Sequence, residues 1–137
     1  MTWLYKGSEF SDPESFYGFV YIITHKESGK KYIGRKYFTL AGYKQVNGKR
    51  KKIRKDSGWQ DYWGSSKALL AEVEAQGKDK FTREIVRLCK SKSDCSYHES
   101  KLILETDALL KEDYWNDWIS CKITRMHLKA IELNSDK

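Results

Sequence analysis

The sequence predicts a small α+β domain in which a three-stranded antiparallel sheet is flanked by helices. Three observations predict it: two short apolar segments separated by a turn, a third apolar segment at 81–89, and two stretches with helical periodicity. The order strand, strand, helix, strand, helix fits one sheet with helices packed against it. A length of 137 residues is typical of one domain. Residues 1–137 are therefore expected to form a single domain, with a leader at 1–16 and a basic insertion at 37–58.

The first two strands are predicted from their apolar patterns and from the turn between them. Residues 17–24 carry apolar side chains on both faces, which is typical of a central strand. Residues 31–35 follow a turn at 27–30 that contains a glycine, as hairpins prefer. Pairing these strands would bring the hydroxyls of Tyr21 and Tyr32 onto one surface. Either both are core aromatics with the hydroxyl in water, or the pair is functional.

The remaining segments have weaker signals. The sequence specifies the leader poorly, but Trp3 and Tyr5 are expected to pack on the domain. The insertion is either a long loop or a second hairpin that turns at 46–48, where Asn-Gly is a strong signal for a type I′ turn. The later elements are expected in this order: a helix from 65 or 66 to 77, a strand at 81–89, a helix from 93 or 96 to 110, and a short strand at 119–124.

The net charge of +7 is concentrated in one segment. Residues 28–55 contain no acidic residue and eleven basic ones, whereas the rest of the chain holds 15 basic and 19 acidic residues. Such a segment is either a solvated loop or a footprint for phosphates. We favour the footprint, because the run starts at the tyrosine pair. The predicted nucleic-acid-binding residues are Lys44, Lys49, Arg50, Lys51, Lys52, Arg54 and Lys55.

Composition argues against several other classes. There is no apolar run long enough for a transmembrane helix, and the start of the chain lacks the pattern of a secretory signal. The three cysteines, Cys89, Cys95 and Cys121, form neither a CxxC pair nor an even set. We therefore expect no structural zinc, no disulfide framework, no membrane partner and a cytoplasmic location.

One acidic residue stands out in the second predicted helix. Glu99 lies one turn before Leu102 and Ile103, at the head of an apolar stripe that also includes Leu109 and Leu110. A carboxylate on a core-facing stripe needs a partner, a proton or a metal. Position alone leaves two interpretations open. Glu99 either completes a capping box with Ser96 or is functional.

The segment YGFVYIITHKESGKKYIGRK resembles the GIY-YIG nuclease family. The second triad, 32–34, matches fully. In the first, 19–21, phenylalanine replaces glycine and valine replaces isoleucine. The separation of eleven residues, Glu99 followed by Asn116, and the pattern Gly64-Ser65-Ser66-Lys67 … Gly77 … Phe81 … Glu84-Ile85 also look like this family, in particular its phage-encoded, free-standing, homing-type members. The resemblance covers about residues 17–120.

The resemblance implies a metal-dependent DNA endonuclease that hydrolyses phosphodiester bonds. Glu99 would hold one divalent ion, Mg²⁺ or Mn²⁺. Tyr21 or Tyr32 would activate water, and Asn116 would orient a side chain or a phosphate. The positive field of the basic segment is expected to lower the pKa of the phenols. The histidines His25 and His98 are weaker candidates for the base.

The chain departs from the family where an arginine is usual, because none occurs near 41–42. Either Arg35 and Lys36 take over this role, or the insertion brings Arg54 or Lys55 back towards the tyrosines. Only about twenty residues follow the predicted site, so sequence specificity is expected to come from the insertion and the leader.

The rival interpretation is a non-catalytic basic nucleic-acid-binding module. In that module Trp59, Tyr62 and Trp63 would stack on bases. The sequence leaves the oligomeric state open.

Overall fold

The computed structural model describes residues 2–119 and 125. It has seven strands and two α-helices in that part of the chain, and the α+β class is confirmed. The strands are β1 (Leu4–Tyr5), β2 (Ser8–Glu9), β3 (Gly18–His25), β4 (Lys31–Tyr37), β5 (Thr39–Val46), β6 (Lys49–Asp56) and β7 (Phe81–Cys89). The helices are α1 (Lys67–Gln76) and α2 (Lys92–Glu105), and short 3₁₀ turns lie at Trp59–Asp61, Lys78–Lys80 and Ala108–Leu110.

The main sheet has five strands in the order β2-β1-β7-β3-β4, so the prediction of three strands was wrong. The two additional strands come from the leader, and β1 runs parallel to β7, which makes the sheet mixed. Trp3 anchors them because its ring is 1% exposed and its indole Nε1–H donates a hydrogen bond to the Trp59 carbonyl at 2.8 Å. Trp3 lies in the core cluster and Tyr5 packs against it, as expected, whereas the two leader strands were not predicted.

Strand β3 lies between β7 and β4 and is buried on both faces, as its apolar pattern predicted. One face packs on a cluster that contains Trp3, Phe19 and Phe81, and the other packs on a cluster with Ile33 and Ile103 of α2. The helix α2 therefore covers the second face next to β4, the outer strand of the sheet.

The insertion forms a separate two-stranded sheet from β5 and β6. Asn47 and Gly48 have φ angles of 52° and 75°, the positive values that a type I′ turn requires. Of the two possibilities for this segment, the hairpin is the one observed.

The helices begin at serine caps. Ser66 Oγ accepts a hydrogen bond from the Leu69 N–H, and Gly77, with a φ of 93°, ends α1 as predicted. The cap of α2 is Ser91, whose Oγ accepts from the Asp94 N–H at 3.1 Å. Ser96 therefore lies inside the helix, and the capping-box interpretation of Glu99 was wrong.

The second helix also ends earlier than predicted. It stops at Glu105, and a separate 3₁₀ turn follows at 108–110. Leu110 is exposed and Leu109 is partly so, hence the predicted apolar stripe ends at Ile103. The predicted short strand at 119–124 lies, except for Ile119, outside the described residues. Within residues 2–119, no helix is long and apolar enough to cross a membrane.

Candidate active site

A pocket of about 280 Å³ opens beside β4 and α2. The strands contribute two phenols and a guanidinium, the helix contributes a carboxylate, and the segment after α2 contributes further polar groups. Its lining residues are Tyr21, Tyr32, Ile33, Arg35, Ser65, Glu99, Ile103, Asn116, Asp117 and Trp118. Five of the six predicted catalytic residues therefore meet in one pocket.

The two tyrosines meet because of the strand register. Tyr21 is paired with Gly34, and Tyr32 is paired with Ile23, so both phenols lie on the same face, with ring centroids 6.3 Å apart. A Cβ atom at Gly34 would overlap the Tyr21 hydroxyl and lie 2.5 Å from its Cζ. Only glycine at this position lets the Tyr21 ring lie across β4 and reach the pocket.

The pKa values of the phenols shift in the direction opposite to the expectation. Burial, followed by the neighbouring hydroxyls of Tyr62 and Tyr32, holds the pKa of Tyr21 well above its ordinary value of 10.0. Burial also raises the pKa of Tyr32, although the hydrogen bond between its hydroxyl and Ser65 Oγ, at 3.1 Å, acts in the opposite direction. The prediction that a positive field lowers these pKa values was wrong because desolvation dominates.

Glu99 and Arg35 form an ion pair at the pocket. Arg35 Nη1 donates to Glu99 Oε1 at 2.5 Å, and their side chains are 30% and 15% exposed. Burial raises the pKa of Glu99, and Arg35 offsets this effect only in part. Arg35 is the only hydrogen-bond partner of this carboxylate among residues 2–119. A desolvated carboxylate with a single partner at a pocket is available for further ligands.

Asn116 clamps the backbone of β4. Its Oδ1 accepts from the Ile33 N–H at 2.9 Å, and its Nδ2 donates to the Ile33 carbonyl at 2.8 Å. The side-chain amide thus pairs with the outer edge of the strand as another strand would, at the residue between Tyr32 and Gly34. Asn116 is placed to orient the strand that carries the second triad.

Lys36 lies outside the residues that line the pocket. Its Nζ stands 4.2 Å from the centroid of the Tyr62 ring, and Tyr62 packs edge-on against Tyr21 at 6.1 Å. The predicted role of Lys36 is therefore at most indirect, through this aromatic neighbour. Tyr21, Tyr32 and Tyr62 thus form a cluster of tyrosines. The sequence analysis had not predicted that Tyr62 belongs to it.

The insertion does not bring Arg54 or Lys55 to the pocket. Arg54 donates to the Thr39 side chain and carbonyl at 3.0 and 2.9 Å and lies over the Tyr17 ring. Of the two alternatives for the missing arginine, the structure places Arg35 in the pocket. The other predicted nucleic-acid-binding residues lie along the β5–β6 hairpin.

Two aromatic residues proposed for base stacking are buried. Trp59 is 3% exposed and Trp63 is 6% exposed, so neither can stack on a base. Arg83 helps to hold Trp63 in the core, because its guanidinium lies over the rings of Trp3 and Trp63 at 4.6 and 4.4 Å. The same guanidinium donates to the carbonyls of Gln60 and Tyr62. Arg83 thereby fixes the segment that carries Tyr62.

The histidines are occupied elsewhere. His25 is bonded to Ser28 and Gln76, and His98 Nδ1 lies 2.8 Å from Asp94 Oδ1. Neither lines the pocket. The buried thiols of Cys89 and Cys95 are free, and the Cys89 hydrogen bond and burial raise the pKa of Cys95.

The pocket can offer a cation a small set of oxygen ligands. Within the described residues, no group of three or more His, Cys, Asp or Glu side chains is arranged to hold a metal ion. Glu99 and Asp117 both line the pocket. Such a sparse oxygen set fits Mg²⁺, which keeps several waters and takes other ligands from substrate phosphate.

Hydroxyls, a guanidinium and carboxylates around one pocket, beside a basic hairpin, are typical of enzymes that act on phosphodiesters. The chain matches the family model described as "Putative endonuclease segE, GIY-YIG domain" over residues 3–119. Because the match spans most of the chain, the protein belongs to this GIY-YIG family, and the predicted endonuclease class is confirmed. No curated protein and no solved structure matched the chain.

Proposed function

We propose that the pocket is the active site of a divalent-metal-dependent endonuclease that hydrolyses phosphodiester bonds in DNA. The observation that carries this proposal is the convergence of Tyr21, Tyr32, Arg35 and Glu99 on one pocket of about 280 Å³. These residues come from two strands and a helix, and Arg35 and Glu99 are 64 positions apart in the sequence. A partly buried carboxylate with a raised pKa at such a place is a candidate functional group.

Glu99 is the proposed ligand of the divalent ion, with Asp117 close enough to share the pocket. Mg²⁺ suits this site best, and Mn²⁺ is its usual substitute among oxygen ligands. When bound, such an ion supplies positive charge that stabilises the leaving oxygen and the charge growing on phosphorus.

Arg35 is the proposed contact of the scissile phosphate. Its Nη1 is bonded to Glu99, and its Nε donates to the Tyr37 hydroxyl at 3.3 Å. The guanidinium has further N–H donors in a planar fork, which suits a phosphate oxygen. Glu99 and Tyr37 therefore hold Arg35 in place before the substrate arrives.

Tyr32 is the better candidate for the group that accepts a proton from the attacking water. Tyr21 is 1% exposed and its pKa is well above 10, so it serves as a hydrogen-bonding partner in the cluster. Tyr32 is less buried, and its bond to Ser65 favours loss of the proton. Because its pKa remains raised, the reactive phenolate would be a minor form at neutral pH.

Binding of the DNA backbone is assigned to the β5–β6 hairpin. The rival function, a binding module without catalysis, relied on stacking by Trp59, Tyr62 and Trp63; the two tryptophan rings are buried and Tyr62 is partly buried. The sequence-based expectations of a phage-encoded homing role and a cytoplasmic location belong to this proposal.

The proposal is tested by incubating supercoiled plasmid with the protein in Mg²⁺ or Mn²⁺ at low salt. Wild-type protein is expected to relax or linearise the plasmid, whereas Glu99→Ala and Tyr32→Phe are expected to cut at least about 100-fold more slowly. If the wild-type protein leaves the plasmid intact in both metals, the proposed endonuclease activity is overturned. If Glu99→Ala cuts normally, only the assignment of Glu99 as the metal ligand is overturned.

A further inference from the structure

The β5–β6 hairpin is built differently from the rest of the molecule. Within the part of the chain that the structure describes, the hairpin joins the core at its base: Phe38, just before β5, is 3% exposed, and the Ser57 N–H, just after β6, donates to the Phe38 carbonyl. Every residue from 43 to 52 is exposed. An isolated two-stranded hairpin gains little stability in water. This hairpin therefore extends into solvent with neither face packed along residues 43–52.

We propose that the β5–β6 hairpin inserts into the major groove of duplex DNA. The inference deepens the proposed function, on which it rests, because it specifies duplex DNA as the substrate and the groove that is read. Strands β4 and β5 are separated by a single residue, Phe38, so the hairpin starts at Thr39, four residues after Arg35 of the pocket. A duplex cut at the pocket would extend along a surface next to the hairpin base.

The charge distribution supports insertion over contact with one flat surface. In the register, Ala41 pairs with Arg54 and Gly42 pairs with Ile53, and the pairs alternate between the two faces. One face therefore carries Arg50, Lys52 and Arg54, and the other carries Lys44, Lys49, Lys51 and Lys55. Asp56 is the single acidic residue between 39 and 56. Cations on both faces suit an element flanked by phosphates on both sides, which a groove provides.

The dimensions also suit the major groove. Each arm has eight residues, which corresponds to about 27 Å of extended strand, or roughly eight base pairs. The major groove of B-DNA is about 12 Å wide and admits a two-stranded ribbon, whereas the minor groove is about half as wide.

The hairpin lacks the features expected for binding single strands. Proteins that bind single strands offer aromatic platforms on which bases stack. Tyr43 is the one aromatic ring on the hairpin, and the Arg50 guanidinium covers it at 4.0 Å from the centroid.

Two side chains near the turn are placed to read bases. Gln45 and Arg50 are paired across the hairpin on one face, and Arg50 is held by its stack on Tyr43. In the major groove, arginine pairs with guanine and glutamine pairs with adenine through two hydrogen bonds each. The lysines are assigned to phosphates.

The first test measures binding of the full chain to a 30-base-pair duplex and to its single strand, by fluorescence anisotropy in EDTA. Replacing residues 43–52 with Asn-Gly keeps four cross-strand pairs and removes five cations. The slope of log K against log salt is negative, and this variant is expected to reduce its magnitude by about 4 to 5. A native far-ultraviolet spectrum and unfolding transition would show that it still folds.

A matched pair of variants separates the hairpin from general charge. Lys49→Ala/Lys51→Ala should lower the salt slope by about 1.8, whereas Lys78→Ala/Lys80→Ala, on an exposed turn outside the hairpin and the pocket, should leave it within about 0.3. Equal effects of the two pairs would overturn the inference.

The groove is identified by competition. Methyl green, which occupies the major groove, is expected to weaken duplex binding by at least about tenfold, and netropsin, which occupies the minor groove, by less than about twofold. The reverse order, or tighter binding to the single strand, would overturn the inference. These binding assays contain no divalent metal, so they can detect groove binding even if the protein does not cleave DNA. Failure of the groove-binding inference can therefore be distinguished from failure of the proposed endonuclease activity.

Discussion

The helix α2 carries a buried carboxylate, Asp94, and a partly buried one, Glu99, whose environments act in opposite directions. Burial alone would raise the pKa of Asp94, but the His98 ring and the Lys90 N–H, at 2.8 and 2.9 Å, outweigh it and hold that pKa below its ordinary value of 3.8. Burial also raises the pKa of Glu99, and there Arg35 does not outweigh it. The charged form is favoured at one position and disfavoured at the other.

The difference separates a structural carboxylate from a candidate functional one. Asp94 lies in the first turn of α2, where its bonds tie the helix to the end of β7 and its charge suits the helix N-terminus. Glu99 lies in the middle of the same helix and faces the pocket, with Arg35 as its one hydrogen-bond partner among residues 2–119. A buried charge kept without full compensation costs stability, which points to a role in function.

The largest expected effect is on catalysis. Glu99→Gln keeps the shape of the side chain but removes the charge, and we expect cleavage to fall by about 10³-fold or more. Asp94→Asn should cleave within about threefold of wild type under conditions where it is folded. Single-turnover cleavage of a plasmid measures both, and a large loss of activity in Asp94→Asn alone would reverse the assignment.

The next effect concerns Arg35. Arg35→Ala removes the proposed phosphate contact and leaves Glu99 buried without its partner, so we expect a loss of cleavage of about 10²-fold or more together with a loss of about 1–3 kcal/mol in the free energy of unfolding. Arg35→Lys should recover stability more than activity, because a lysine lacks the planar fork. Equal recovery of both would contradict a role in phosphate binding.

A smaller effect is expected on stability at Asp94. Asp94→Asn weakens the bonds to the His98 ring and the Lys90 N–H, and we expect it to lower the free energy of unfolding by about 1–3 kcal/mol. Glu99→Gln is expected to leave that quantity unchanged or to raise it slightly. Urea unfolding at pH 7 measures both variants, and a greater loss in Glu99→Gln would contradict the comparison.

The smallest effect is a difference in pH dependence. The lowered pKa of Asp94 contributes stability that is present above its unfolded value near 3.8 and is lost as the pH falls through the folded pKa. The raised pKa of Glu99 has the opposite sign: its contribution is present below about 4.5 and is lost as the pH rises through the folded pKa.

Unfolding of wild type, Asp94→Asn and Glu99→Gln between pH 3 and pH 7 would show these slopes, each limited to about 1.4 kcal/mol per pH unit. The advantage of wild type over Asp94→Asn should grow as the pH rises, whereas the free energy of unfolding of wild type minus that of Glu99→Gln should fall. Slopes of the same sign would contradict the assignment of opposite environments.

Local rules predicted much of the fold. The doubly apolar pattern gave the central β3, Asn47-Gly48 gave the hairpin turn, and Ser66 and Gly77 gave the bounds of α1. The leader strands were missed because their pairing is non-local: Leu4 pairs with a residue 80 positions later, and no local pattern encodes that.

The features of the site that depend on strand register were predictable from the sequence. The features that depend on packing between distant residues were not. The common surface of Tyr21 and Tyr32 followed from the hairpin spacing. The direction of their pKa shifts depends on burial among distant residues, so the prediction of lowered pKa values from the basic segment had the wrong sign. Asp117 and Tyr62 were not predicted as site residues. The sequence offered only their nearness to predicted motifs: Asp117 follows Asn116, and Tyr62 precedes Gly64 by two residues.

The most direct test of the account is the binding of Mn²⁺ to the full chain, followed by electron paramagnetic resonance as free Mn²⁺ is lost from solution. We expect wild type and Asp94→Asn to bind one ion with affinities within about threefold of each other, and Glu99→Gln to bind at least about tenfold more weakly. Unchanged Mn²⁺ binding in Glu99→Gln, or its loss in Asp94→Asn, would contradict the assignment of Glu99 as the carboxylate that holds the metal.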